Sequence, residues 1–122
     1  MALGRQSRNQ RASPRVDVLM RVKGEMVPVS SPIRIFNLNL TGFAVLSEVR
    51  FRIGQRLNFR LTGPGGNSVL VTAAAVHTMP RPGALGLHQT GFEFRPERPG
   101  HEVPEADIRQ LLAAVAPKGF KI

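Results

Sequence analysis

The sequence predicts a mainly β protein, built as an antiparallel barrel of six or seven strands with one C-terminal α-helix. Three observations predict this fold class. Short segments alternate apolar and polar residues with the period of two that characterises half-buried strands. Turn signals rich in glycine, proline and asparagine separate these segments at short intervals. The final segment instead spaces its apolar residues at helical intervals, as a packed amphipathic helix requires.

The first half of the chain predicts four strands. The clearest lies at residues 15–23, where one face carries only apolar side chains, namely Val16, Val18, Met20 and Val22. Gly24 and Glu25 then supply a turn signal. Further strands are predicted at residues 26–29, 33–38 and 43–46.

The second half of the chain predicts three more strands and the connections between them. Residues 62–67, with the sequence TGPGGN, are the strongest turn signal in the chain and predict a hairpin between the strands on either side. Residues 80–86 contain two prolines and two glycines, so we expect a loop there. The strands themselves are predicted at residues 56–61, 68–78 and 87–94.

The segment that begins at Pro104 predicts the helix. Proline suits an early helical position, and the acids at Glu105 and Asp107 suit the positive end of the helix dipole. One stripe is apolar and consists of Ile108, Leu111, Leu112 and Val115. We expect the helix to run to about Ala116 and to pack on the side of the barrel or over its mouth.

One folded domain is expected at residues 11–117, because 122 residues is near the usual size of a single domain. Residues 1–10 are polar and basic and predict a flexible arm, while residues 118–122 predict a short tail. No apolar stretch approaches the roughly 20 residues of a membrane-spanning helix, and the first residues lack the pattern of a secretory signal peptide. We therefore expect a soluble, cytoplasmic protein without membrane insertion.

The charge balance predicts an anionic partner. The formal net charge is +9, and 14 of the 17 positive residues are arginine. Arginine makes paired hydrogen bonds to phosphates and to guanine edges, whereas lysine acts as a point charge. Nucleic acid, an anionic membrane and a phosphate-bearing ligand all fit this charge.

The sequence offers no support for catalysis or for a metal site. It contains no cysteine, and its three histidines, His77, His88 and His101, show no metal-ligand spacing. No acid, base and nucleophile converge on one motif. We therefore expect neither an enzyme nor a bound cofactor.

Two short segments carry the candidate ligand-binding residues. Arg11 and Arg15 are four residues apart around the stiff sequence Ala-Ser-Pro, so they can present two guanidinium groups to one ligand. In the second segment, Asn37 and Asn39 share a face if the chain is extended, and two carboxamides could then reach a base edge. In a tight turn, the same asparagines would instead cap their own backbone. Gly42 would allow a close backbone approach or a positive φ.

Together these segments resemble the two motifs of the PilZ domain family, RxxxR on an N-terminal loop and (D/N)xSxxG after a strand. Arg11 and Arg15 match the first motif, while Asn37 and Gly42 match the outer positions of the second. Asn39 stands where the family usually has serine. With the later glycine-headed strands, the resemblance covers about residues 8–115.

The resemblance implies a PilZ-like split β-barrel that binds cyclic di-GMP and performs no chemistry. It also implies that the arginine loop wraps the ligand while the second motif contacts guanine. We expect binding to change the conformation of that loop and to signal to a protein partner. The implied ligand-binding residues are Arg11, Arg15, Asn37, Asn39 and Gly42, with Arg8 as a further candidate.

Two other functions stay open at this point. One is a PilZ-like adaptor that binds proteins without the nucleotide, for which the asparagine at position 39 is the supporting feature. The other is a nucleic-acid-binding barrel that uses a general basic surface. The second is weakened because the phenylalanines fall mainly on apolar faces, which predicts packing in the core and no base-stacking platform.

Overall fold

The computed structural model describes residues 15–18, 21–81, 83 and 86–116, and the elements below are those of this part of the chain. The predicted arm at residues 1–10 and the predicted tail at residues 118–122 lie outside the described residues. The elements, in chain order, are β1 (Val16–Asp17), β2 (Lys23–Val27), β3 (Ser31–Leu38), β4 (Gly42–Ser47), β5 (Arg56–Thr62), β6 (Ser68–Pro80), β7 (His88–Arg95) and α1 (Glu105–Val115).

Six strands close into an antiparallel barrel in the order β3-β2-β5-β6-β7-β4, with β4 returning to β3. The seventh strand, β1, pairs with the end of β3, so that Val16 lies opposite Leu38 and Asp17 opposite Asn37. The predicted fold class is confirmed. The hairpin predicted at residues 62–67 is confirmed too, since β5 and β6 pair along their length from Thr62 opposite Ser68.

The single strand predicted at residues 15–23 is wrong. The chain turns after Val18, whose carbonyl accepts hydrogen bonds from the backbone N–H groups of Arg21 (2.8 Å) and Val22 (3.1 Å). Two strands, β1 and β2, therefore replace the predicted one. Three of the four predicted apolar positions, Val16, Val18 and Val22, are buried, while Met20 lies outside the described residues.

The turn predicted at Gly24 and Glu25 is also wrong. Gly24 lies within β2 and pairs with Ile33 on one side and Leu61 on the other. A Cβ atom on Gly24 would lie 2.5 Å from Cδ1 of Ile35, so glycine leaves room for that buried side chain. The chain reverses instead at residues 28–30, between β2 and β3.

Aromatic rings occupy the middle of the barrel. The ring of Phe43 lies 5.1 Å from that of Phe59, 5.4 Å from that of Phe92 and 5.6 Å from that of Phe94, measured between centroids. Phe59 also meets Phe92 edge to face at 5.0 Å. Such geometries add to the stability that the buried area provides, and the predicted core role of Phe59, Phe92 and Phe94 is confirmed.

Helix α1 contributes its apolar stripe to the same core. The predicted residues Ile108, Leu111, Leu112 and Val115 are all buried, and Leu111 reaches the β5–β6 turn at Gly63. Strands β3 and β5 run in the same direction because both are antiparallel to β2, so the bend after β3 lies at this same end of the barrel. Within the described part of the chain, no helix is long and apolar enough to cross a membrane.

Removing the central ring should be among the most damaging core changes. Phe43→Ala deletes a side chain that is 1% exposed and contacts three other rings, so we expect it to lower the free energy of unfolding by about 3–5 kcal/mol. Leu70→Ala is the control, because Leu70 is 60% exposed and its loss should cost about 0.5 kcal/mol or less. Urea denaturation followed by circular dichroism measures both, and similar losses from the two variants would contradict this description of the core.

Candidate ligand-binding site

The two predicted motifs meet where β1 pairs with β3. Arg15 immediately precedes β1, and its Nη1 atom donates a hydrogen bond of 2.8 Å to Oδ1 of Asn37 in β3. This contact joins residues that are 22 positions apart in the sequence. The structure thus brings Arg15 and Asn37 together, as the ligand-binding hypothesis requires. Arg8 and Arg11, the other predicted arginines, lie outside the described residues.

The guanidinium of Arg15 is partly desolvated beside a neutral hydrogen-bond acceptor. Desolvation by burial lowers the pKa of Arg15 below its ordinary value, although the residue as a whole remains exposed. The guanidinium stays protonated, because arginine does not lose its proton in proteins. Desolvation disfavours the charged form, and Asn37 supplies only a neutral acceptor. Asp17, an acid in β1, lies directly opposite Asn37, so negative charge is already present next to this contact.

A β-bulge in β3 determines which side chains face outward beside Arg15. The β3–β4 register shifts between Ile35 and Asn37, so Phe36 is the extra residue. Ile35 and Leu38 are buried, while Phe36 and Asn37 are only partly buried, which places two consecutive side chains on the outer face. The guanidinium carbon of Arg81 lies 5.6 Å from the centre of the Phe36 ring on that face.

A row of paired residues begins at Asn37 and crosses three further strands, β4, β7 and β6. Asn37 pairs with Ala44, Ala44 pairs with Gly91, and Gly91 pairs with His77. Directly paired residues share a face of an antiparallel sheet, so this row, which we call the outer shelf, lies on the outer side of the barrel wall, where Ala44 and Gly91 are themselves buried. The His77 ring lies over Gly91, since a Cβ on that glycine would be 2.5 Å from Cε1 of the imidazole. Sequence reasoning missed Phe36, Arg81 and the shelf residues beyond Asn37.

Asn39 has a different place from the one that its motif position suggested. It was expected to share a face with Asn37, but it is 0% exposed and follows the end of β3. Its Oδ1 atom accepts hydrogen bonds of 2.9 Å from the N–H of Thr41, the hydroxyl of Thr41 and the N–H of Gly42. The carboxamide oxygen of Asn39 therefore organises the bend between β3 and β4, the usual turn chemistry of asparagine.

Gly42 allows a close approach between two strands. It pairs with Glu93 in β7, and a Cβ atom at position 42 would lie 2.0 Å from the carbonyl oxygen of Phe92. No side chain fits at that distance. The predicted close backbone approach at Gly42 is confirmed. The alternative prediction, a positive φ, is wrong, because Gly42 does not have one.

A cavity lies on the side of the barrel opposite β3 and β4. Its volume is about 320 Å³, and most of its border comes from β5, β6 and the segment before α1, with Val27 and Arg95 added from the ends of β2 and β7. The border includes Asn58, Thr72, Glu97 and His101. None of the predicted motif residues that the structure describes borders it. Among residues 15–18, 21–81, 83 and 86–116, no three His, Cys, Asp or Glu side chains are grouped closely enough to hold a metal ion.

Comparisons with known proteins identify the fold. No family model matches the sequence, and no curated protein matches it. Among solved structures, the Bacillus subtilis inhibitor of motility MotI/DgrA is similar with a TM-score of 0.68 and 15% identity, over 87% of this chain and 49% of that protein. The Escherichia coli PilZ domain of YcgR with c-di-GMP is similar with a TM-score of 0.58 and 18% identity, over 87% of this chain and 88% of that domain.

A longer YcgR structure from Escherichia coli, in complex with c-di-GMP, is similar with a TM-score of 0.60 and 18% identity, over 85% of this chain and 43% of that protein. The chain thus spans about half the length of MotI/DgrA and of this YcgR structure. These likenesses show that the chain has the PilZ fold, as the two motifs predicted.

The two asparagines should differ in their effect on stability. Asn39→Ala removes the acceptor of the buried Gly42 N–H, so we expect it to lower the free energy of unfolding by about 1–3 kcal/mol. Asn37→Ala removes one contact to an exposed arginine and should cost about 0.5 kcal/mol or less. Chemical denaturation of both variants checks this difference. Equal losses, or a larger loss from Asn37→Ala, would refute the structural role of Asn39.

Proposed function

We propose that the chain is a receptor for cyclic di-GMP, which it binds on the outer face of the barrel around Arg15 and Asn37. The observation that carries this proposal is the 2.8 Å side-chain contact between these two residues. One belongs to the arginine motif and the other to the motif after β3, and a single ligand could contact both. YcgR, a protein of similar fold, has been solved in complex with c-di-GMP.

The chemistry of the ligand suits these groups. A cyclic dinucleotide carries two negative charges, and each of its guanines has two Hoogsteen acceptors that an arginine fork can meet. One such paired contact contributes about 1–3 kcal/mol of discrimination between bases. Two contacts together with phosphate attraction would bring the affinity to roughly micromolar, which corresponds to about 8 kcal/mol. Arg11, four residues before Arg15, is proposed to supply the second fork.

Signalling is proposed to follow from movement of the segment that carries these arginines. Strand β1 is two residues long and pairs only with the end of β3, so few hydrogen bonds resist its rearrangement. The ligand would replace Asn37 as the partner of Arg15 and would order the arginine loop over the outer face. The changed surface would then bind or release a protein effector.

A second candidate is an adaptor that binds protein partners and not the nucleotide. The observation that favours it is the burial of Asn39, whose carboxamide oxygen already accepts three hydrogen bonds within the bend. In this candidate the motif after β3 has only a structural role. Titration with cyclic di-GMP separates the two candidates, because only the receptor binds the nucleotide.

Titration calorimetry with cyclic di-GMP tests the receptor function. We expect the wild type to bind at roughly micromolar Kd, and Arg15→Ala to weaken binding at least tenfold, equivalent to about 1.4 kcal/mol, because one charged fork is lost. Asn37→Ala should also weaken binding, while its stability stays near that of the wild type.

Arg109→Ala is the matched control, since it removes the same charge from α1, where Arg109 pairs with Glu105 at 3.0 Å. It should bind as the wild type does. Absence of binding by the wild type would refute the receptor and favour the adaptor. Oligonucleotide binding that falls steeply with salt, without dinucleotide binding, would instead indicate a general nucleic-acid binder.

A further inference from the structure

We propose that Phe36 and Arg81 form a stacking platform that holds one guanine base of the ligand beside Asn37. This inference rests on the proposed function and extends the site to two residues that belong to neither sequence motif. It assigns to them a contact with the flat face of the base, whereas Asn37 and the arginine motif meet its edges and the phosphates.

Phe36 differs from the other phenylalanines that the structure describes. Five of them are buried in the barrel, namely Phe43, Phe51, Phe59, Phe92 and Phe94. The bulge in β3 instead turns Phe36 to the outer face, next to Asn37. An aromatic ring that is only partly buried beside a polar candidate site can support a guanidinium group, whose solvent-facing side a base can use because every base has a π face.

Contacts on two sides hold Arg81 over this ring. Its backbone N–H donates a hydrogen bond of 2.9 Å to the carbonyl of Leu87, which closes the connection between β6 and β7. Its Nη1 atom donates a hydrogen bond of 2.9 Å to Oε1 of Gln89, and its guanidinium carbon lies 5.6 Å from the Phe36 ring centre. The planar group is therefore oriented before any ligand arrives, which reduces the entropy that binding must remove.

A purine fits this arrangement in charge and shape. Guanidinium groups stack on aromatic rings, and Arg81 remains exposed, so a base can pack against the platform from the solvent side. Phe36 and Asn37 are adjacent on the outer face, so the platform and the Asn37 carboxamide both lie within reach of one purine. The positive charge of Arg81 would also attract the phosphates of the same ligand.

Three variants test the platform by calorimetry with cyclic di-GMP. Arg81→Ala and Phe36→Leu should each weaken binding about 5- to 150-fold, the equivalent of 1–3 kcal/mol for one stacked base at 1.4 kcal/mol per tenfold. Arg81→Lys keeps the charge and loses the flat guanidinium, so its affinity should fall nearly as far as that of Arg81→Ala. Thermal unfolding of each variant verifies that the barrel remains folded.

The outcomes separate the platform from the receptor function. If Arg15→Ala loses binding while Arg81→Ala and Phe36→Leu bind as the wild type does, the platform is refuted and the receptor function stands. If Arg81→Lys binds as tightly as the wild type and Arg81→Ala does not, Arg81 acts through its charge and stacking is refuted. If the wild type itself does not bind, both proposals fail. Arg109→Ala again serves as the charge-matched control.

Discussion

The candidate site depends on the short ladder between β1 and β3. Two backbone pairs, Val16 with Leu38 and Asp17 with Asn37, bring the residue before β1 within 2.8 Å of the Asn37 carboxamide. Without this ladder, Arg15 would have no fixed relation to the rest of the barrel. The anchor is small compared with the six closed strands. That difference in size allows a stable scaffold to carry a segment that a ligand can rearrange.

The backbone around the end of β3 holds Asn37, the hydrogen-bond acceptor of Arg15, in place. Asn39 holds the bend after β3 with three hydrogen bonds, and Gly42 lets β4 approach the backbone of β7. The bulge at Phe36 then presents two outward side chains where regular alternation would present one. Each feature restricts the backbone, so the orientation of Asn37 does not depend on a ligand. The site therefore combines Asn37, whose position is fixed by β3, with Arg15, whose segment can rearrange.

Much of the fold could be predicted from local patterns, and the errors have identifiable causes. The β5–β6 hairpin and the stripe of α1 follow from turn chemistry and periodicity, which act within a few residues. The turn after Val18 contains no glycine or proline, so local signals could not separate β1 from β2. Gly24 was interpreted as a turn residue because glycine is common in turns, whereas in the structure its lack of a side chain leaves room for Ile35. Of the site, the proximity of Arg15 and Asn37 followed from the motifs. The burial of Asn39 and the partial exposure of Phe36 could not be predicted from the motifs, since both depend on how strands pair across the barrel.

Nuclear magnetic resonance of the labelled chain, titrated with cyclic di-GMP, locates the bound ligand on the barrel. If the ligand binds around Asn37, the resonances of the Asn37 side-chain amide and of the backbone amides of Ala44 and Gly91, which belong to the outer shelf, should shift. Amides of Asn58 and Thr72, beside the cavity on the far side of the barrel, should stay unchanged. Shifts confined to that far side, with none at Asn37, would show that the nucleotide does not bind at Arg15 and Asn37.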